Sequence, residues 1–254
     1  MPQRTDRAGL ARLVSFATLL AVWSLGALAA GDRAMLPGPW AVAGEMWREA
    51  AHGALFLHLG VTLARVAAAF VLAIGIGATI GVAMGRNRRA DELLDVWLIA
   101  ALNLPALVAI ALCYIWIGLN ETAAVVAVAI NKIPLAATMM REGARALDPA
   151  LDEMARAYAM PWRDRIAHVV APQLAPHIAA TARAGLALVW KIVLVVEFLG
   201  RPNGVGFMVH MNFQLFNVTG VLAYAAAFIA VMLAVEAGLI RPWERWANRW
   251  RRPA

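Results

Sequence analysis

The sequence predicts an all-α, polytopic membrane bundle of about six transmembrane helices. Three observations carry this. Hydrophobic residues make up 62% of the 254 residues and charged residues 15%, with a mean hydropathy of +0.67, which is far more apolar than an ordinary soluble domain. Apolar runs near 12–30, 61–84, 96–118, 122–140, 178–200 and 219–240 each approach the ~20 residues that cross a bilayer as a helix. In lipid, backbone N–H and C=O groups must be paired within the segment, so helices are the default.

The first run has a basic start (Arg4, Arg7, Arg12), an apolar centre and an Ala27-Leu28-Ala29 ending. That pattern fits either a retained span or a cleavable signal peptide. The length of the run and an even total of spans favour retention. Residues 31–60 are too polar to span, and predict an external turn plus a short amphipathic helix along the membrane surface.

The second run carries Gly77, Gly81 and Gly85 at four-residue spacing, with Gly75 beside them. Such a stripe lets another helix approach closely. Pro105 and Pro134 interrupt the third and fourth runs, where kinks or local unwinding are expected. The lone Cys113 excludes a disulfide framework and reads as a small packing residue.

Orientation follows from arginine placement. Arg4, Arg7 and Arg12, then Arg86, Arg88 and Arg89, then Arg141, Arg145, Arg156, Arg163 and Arg165, then Arg241, Arg245, Arg249, Arg251 and Arg252 fall on one side, against Arg33, Arg48 and Arg201 on the other. Sixteen against three predicts that both termini and the long 141–177 loop are cytoplasmic. The net charge of +7 then reports topology and an anionic lipid surface, with no sign of a nucleic-acid-binding module.

That loop holds two amphipathic patterns. Leu151, Met154, Ala155 and Tyr158 follow helical spacing, as do Trp162, Ile166, Val169 and Val170. Asp148 can cap the first helix, Pro149 suits its first position, and Asp152 and Glu153 place negative charge at its positive end. Pro161 suits the start of the second, leaving Ala159–Met160 as the turn. The apolar stripes need a partner, which is either the rest of this chain or another protein.

Several polar residues lie at membrane depth: Arg65, Asn103, Asn131, Lys132, Lys191, Glu197 and Glu236. Asn131, Lys132 and Lys191 are candidates for lining a path for a polar or anionic solute. The alternative has Arg65 and Glu236 snorkelling from span ends and Lys191 paired with a carboxylate such as Glu197. Catalytic chemistry finds little footing. The five histidines form no metal-ligand cluster, and nucleophile-elbow and Walker-type phosphate motifs are missing. Only Glu45, His52 and His58 could furnish an external enzyme cavity. No catalytic residue, metal site or cofactor is therefore assigned.

The loop, read as Glu153-Met-Ala-Arg-Ala-Tyr-Ala159 and then Val169-Val170-Ala171-Pro172, resembles the EAA motif of bacterial ABC importer permeases. Glu153, Ala155 and Pro172 match in register, while Met154, Ala159 and Ala171 replace an alanine, the glycine and the leucine. Loss of the glycine would make a left-handed turn at Ala159 costlier. Leu36-Pro37-Gly38-Pro39, the segment His58–Val66, the glycine-striped span, Ala187–Lys191 and Glu197–Gly200 look like the nitrate/sulfonate/taurine subgroup of these permeases. The resemblance covers about 36–250.

It implies a type I importer fold, with residues 1–60 an N-terminal span plus external segment and 61–250 a permease core. It also implies a second permease subunit (a homodimer is expected), two cytosolic ATPase subunits that bind the ATP, an external solute-binding protein and a bacterial inner-membrane location. Glu153, Met154, Ala155, Tyr158, Ala159, Trp162 and Pro172 would couple to the ATPase. The solute would be a sulfonate, taurine, nitrate or similar anion, or alternatively a thiamine-precursor pyrimidine or other small molecule. A membrane scaffold or a membrane-embedded enzyme remain the readings from other classes.

Overall fold

The computed structural model describes residues 3–32 and 34–247, and every regular element among them is a helix. In order these are α1 (Gln3–Ala30), α2 (Pro39–Ala51), α3 (Leu55–Arg86), α4 (Arg88–Leu102), α5 (Ala106–Ile117), α6 (Glu121–Arg145), α7 (Pro149–Ala157), α8 (Trp162–Gly200), α9 (Val205–Gln214) and α10 (Val218–Ala247). Five of these are long and apolar enough to cross a membrane: α1 through its Leu13–Ala30 stretch, α3, α6, α8 and α10. α4 and α5 are long and apolar enough only when taken together, and they meet at 95°.

That bend falls where an interruption was expected at Pro105, and it is a sharp change of direction. Pro105 has no N–H to continue the helix and disfavours helical geometry before it. Asn103 closes α4 by donating its side-chain amide to the Ile99 carbonyl (2.8 Å). Pro134, by contrast, lies inside α6, which continues through it without local unwinding.

Pro172 and Pro242 also sit within continuous helices, and both are handled the same way. A π-helical turn precedes each one, Ile166–Val170 before Pro172 and Glu236–Ile240 before Pro242. The Ala171 N–H donates to the Ile166 carbonyl, and the Arg241 N–H to the Glu236 carbonyl. The wider turn resets the hydrogen-bond register just where the proline offers no donor. In consequence the second amphipathic pattern of the loop is the first part of a 39-residue helix, rather than a separate short one.

The core lies where α3, α5, α6 and α8 meet, with Ala69, Ile110, Ala127, Val128, Val189 and Val193 all buried. Its alanine-rich make-up brings the helices close. A second cluster joins α3, α9 and α10 through Leu59, Val205, Tyr224 and Phe228, with Met46 and Ala50 of α2 against it. The Tyr224 hydroxyl donates to Glu49 of α2 (2.6 Å). The apolar side chains of α1 stay exposed, including Leu13, Phe16, Leu19 and Leu25, as suits a span that faces lipid.

The glycine stripe of α3 faces α6. A Cβ at Gly77 would meet the Ile133 carbonyl at 2.8 Å, and one at Gly85 the Arg141 carbonyl and the Ala144 Cβ, both at 2.6 Å.

Candidate functional site

Two polar clusters mark opposite ends of the bundle. At one end the chain leaves α6, forms α7, turns, and enters α8. Asp148 caps α7 by accepting from the Ala150 N–H (2.9 Å), and Pro149 occupies the first turn. The helix ends in a Schellman motif. The Met160 N–H donates to the Ala155 carbonyl and the Ala159 N–H to the Arg156 carbonyl, both at 2.9 Å. Ala159 has φ +49°, the left-handed conformation that costs an L-residue roughly 1–2 kcal/mol. Ala159→Gly is therefore expected to stabilise this turn by about 1 kcal/mol, visible as slower amide exchange across 149–160.

The α7 turn divides its side chains sharply. Ala155 and Val169 are buried, while Leu151, Met154, Tyr158, Trp162 and Ile166 are exposed, Tyr158 at 79% and Trp162 at 67%. Glu153 and Pro172 are exposed too. Asp152 is tied inward. Its carboxylate accepts from Arg165 Nε of α8 (2.9 Å), from Arg86 Nη2 at the end of α3 (3.2 Å) and from Arg156 Nη2 (3.3 Å).

The hydrogen-bonded Arg165, with Arg86 adding to it, holds the Asp152 carboxyl below its ordinary value despite some burial. With the folded-state value depressed, the stabilisation is present above the ordinary carboxylate range and is lost as pH falls through the folded value. Protection of the α7 amides, taken relative to their intrinsic exchange rates at each pH, should stay constant from neutrality down to that range and fall only below it. Nearby, Arg141 Nη1 donates to Asp95 (2.6 Å), and Arg145 pairs with Asp91, joining α6 to α4.

At the far end Arg65 of α3 is 4% exposed. It donates to Glu121 of α6 through Nε (2.7 Å) and Nη2 (2.6 Å), and through Nη1 to Glu197 of α8 (2.7 Å) and the Asn203 carbonyl (2.8 Å). The Asn203 side chain also accepts from Arg65, and Arg201 pairs with Glu121. Glu197 is fully buried, and its second oxygen accepts from the Gly206 N–H (2.8 Å) and contacts the Thr62 hydroxyl (2.9 Å). The first donors of α9 are thus held by side chains. Gly204 N–H donates to His58 Nδ1 (3.0 Å), Val205 N–H to Thr62 Oγ1 (2.8 Å), and Gly206 N–H to Glu197.

This clasp corrects three expectations. Arg65 is an internal ion-pair partner and does not snorkel. Glu197 pairs with Arg65 and not with Lys191. His58 is a helix cap, which removes it from any catalytic grouping. The clasp was partly legible, since both charges stood out at membrane depth, but nothing in the sequence paired them across 132 positions.

Lys191 is exposed on α8, with its ammonium 5.6 Å from the centre of the Trp190 ring. Ala180, Ala187, Leu188 and Val195 are exposed on the same face of α8. Lys132 and Asn131 are half-buried on α6. Glu236 pairs with Arg183 and Arg241, all partly exposed. Among the described residues no group of histidine, cysteine, aspartate or glutamate could hold a metal ion.

Residues 54–239 match the family model of the binding-protein-dependent transport system inner membrane component. The chain belongs to this family. As a permease component of an ABC importer it is a multi-pass protein of the inner membrane, a transporter rather than an enzyme, and works with an ATPase and a binding protein. It is 28% identical over 251 residues to a protein of Bacillus subtilis (strain 168) named for aliphatic sulfonates transport, SsuC (98% of this chain, 91% of that protein). The permease is 30% identical over 233 residues to the SsuC of Escherichia coli (strain K12), covering 90% of this chain and 88% of that protein. It is also 29% identical over 252 residues to a riboflavin transport system permease protein, RibX, of Chloroflexus aurantiacus (98% and 92%).

Among solved structures, the inward-facing MetNI methionine ABC transporter shares its fold. The TM-score is 0.58 at 15% identity, covering 80% of this chain and 96% of that one.

Proposed function

We propose that this permease forms, with a second copy of itself, the membrane path of an importer for small organic anions, with aliphatic sulfonates the first candidates. The observation that carries the anion reading is Lys191, a cation exposed at mid-span on an open face of α8. A charge at that depth faces a polar cavity or a protein partner rather than lipid. Two copies related by a twofold axis would present this face to each other and place two lysines on one path. The names of the two sulfonate relatives point to the same solute class. Lys132 and Asn131 would add to the lining from α6.

The arginine distribution supports placing both termini and the α7 turn in the cytoplasm. There the exposed Leu151, Met154, Tyr158 and Trp162 offer an apolar face for a groove on the ATPase. Glu153 would be the polar anchor of that contact. Ala155 and Ala159 would set the shape of the turn, and Pro172 the entry into α8. ATP would be bound only by the partner.

Capture of the tagged chain in mild detergent, with ATPase recovery quantified, tests the docking. Met154→Glu/Trp162→Glu should lose the ATPase, and retention would overturn it. In reconstituted vesicles carrying binding protein and ATPase, uptake of radiolabelled ethanesulfonate should fall roughly 10- to 100-fold in Lys191→Ala, as expected for loss of one charge-assisted contact to an anion. Unchanged uptake would remove Lys191 from the path. The riboflavin relative makes a flavin the second reading, favoured if wild-type vesicles take up riboflavin and no sulfonate.

A further inference from the structure

We propose that Asp152 is a positioning residue that locks the loop helix α7 to the cytoplasmic ends of both α3 and α8, so that a push on α7 moves the two spans together. The inference rests on the reading of the α7 turn as the ATPase contact. It adds an intramolecular linkage that the docking residues themselves do not supply.

The geometry is specific. α7 is nine residues long and is followed by a left-handed turn residue, Ala159, and a non-helical Met160–Pro161 step. The docking face of the turn looks away from the bundle, with Leu151, Met154 and Tyr158 exposed. On its inner side, Ala155 supplies packing but little reach. Asp152 is the α7 side chain that bonds to two spans at once, Arg86 closing α3 and Arg165 opening α8. Its remaining partner, Arg156, lies on α7 itself. The Asp148 N–H adds one contact by donating to Gln173 of α8 (2.9 Å).

What makes this a lever is the far end. α8 runs as one helix from Trp162 to Gly200. There Glu197 holds Arg65 of the same α3 and the first turn of α9. α3 and α8 are therefore joined at both ends, by a buried pair at one and through Asp152 at the other. Packing between them fills the interval, with Gly185 of α8 against Phe70 and Ile74 of α3. Displacement of α7 carries α3, α8 and α9 as a unit, so the α9 end would move in step with the ATPase.

Coupling of this kind is reciprocal. A ligand at the α9 end must alter the ATPase by the same linkage, and such couplings amount to factors of about 5 to 150. The test uses the full complex in lipid nanodiscs and reads ATP hydrolysis with and without saturating binding protein. Asp152→Ala and Asp152→Asn should recover the ATPase in wild-type amount and keep basal hydrolysis. The change in hydrolysis caused by binding protein should collapse by at least about five-fold.

Asp152→Glu should restore much of that change although the nearly isosteric Asp152→Asn does not, a pattern no packing role would predict. A wild-type response in Asp152→Ala overturns the proposal. Loss of the ATPase from Asp152→Ala also overturns it, because Asp152 would then belong to the docking face. If the wild-type chain itself recovers no ATPase, the coupling reading fails first and the lever falls with it.

Discussion

Arg65→Ala is expected to destabilise the folded permease by about 3–5 kcal/mol, the usual consequence of removing one partner from a buried ion pair. Glu197 is fully enclosed, and without the guanidinium its charge would rest on the Gly206 N–H and the Thr62 hydroxyl alone. In the same step the Asn203 carbonyl would lose its Arg65 donor, and Glu121 would keep only Arg201. The contrast is Arg183→Ala. Arg183 pairs with Glu236 and Glu244 but is half-exposed, so that change should cost at most about 1 kcal/mol.

Thermal unfolding of the purified protein in one detergent, followed by the loss of monodisperse chromatographic signal, measures both. Equal midpoints for the two variants would show that the clasp contributes no more than a surface pair. Replacing both charges, Arg65→Met/Glu197→Met, should recover only part of the loss. An apolar pair removes the desolvation cost of two ions. It also strips the Gly206 N–H of its acceptor, and an orphaned buried donor costs about 1–3 kcal/mol. The clasp therefore has two separable roles, neutralising a buried charge and capping α9.

How much of this was legible in the sequence depended on whether the signal was local. The class, the span positions, the α7 cap at Asp148, the turn at Ala159 and the glycine stripe were all legible, because each is set by residues within a turn or two of one another. The continuity of α8 was not. Pro172 and Pro176 argue for a break, yet the π-helical turn at Ile166–Val170 carries the helix past Pro172 with no residue type that announces it, and the helix also continues through Pro176. The 95° bend at Asn103–Pro105 was visible as an interruption but not as a change of direction. The Arg65–Glu197 pairing was hidden for a simpler reason. Depth in the membrane says that a charge needs a partner, and only topology says which one.

The glycine stripe shows the same limit and leads to the second large effect. Its spacing announces a close helix contact, yet the partner, α6, and the atoms met there come from the fold. Gly81→Leu is expected to prevent α3 and α6 from seating, a loss larger than the 1–3 kcal/mol typical of modest overpacking. A Cβ at Gly81 would already collide with the Ala137 carbonyl and stand 2.8 Å from the Met140 Cβ and 2.9 Å from the Arg141 nitrogen. Two of those neighbours are α6 backbone, which cannot rotate away, so the helices must part.

Gly81→Ala is the finer probe. Alanine gains about 1 kcal/mol of helix propensity over glycine, and here the collision should outweigh it. Gly75→Ala is the matched control, because a Cβ there meets nothing within 4 Å and the propensity gain stands alone. Melting midpoints should therefore move in opposite directions for two identical substitutions six residues apart on one helix. If Gly81→Ala also raises the midpoint, α3 and α6 are not held at backbone contact. Arg86 and Arg141, which close that seam beside α7 and α4, would then be free to separate as well.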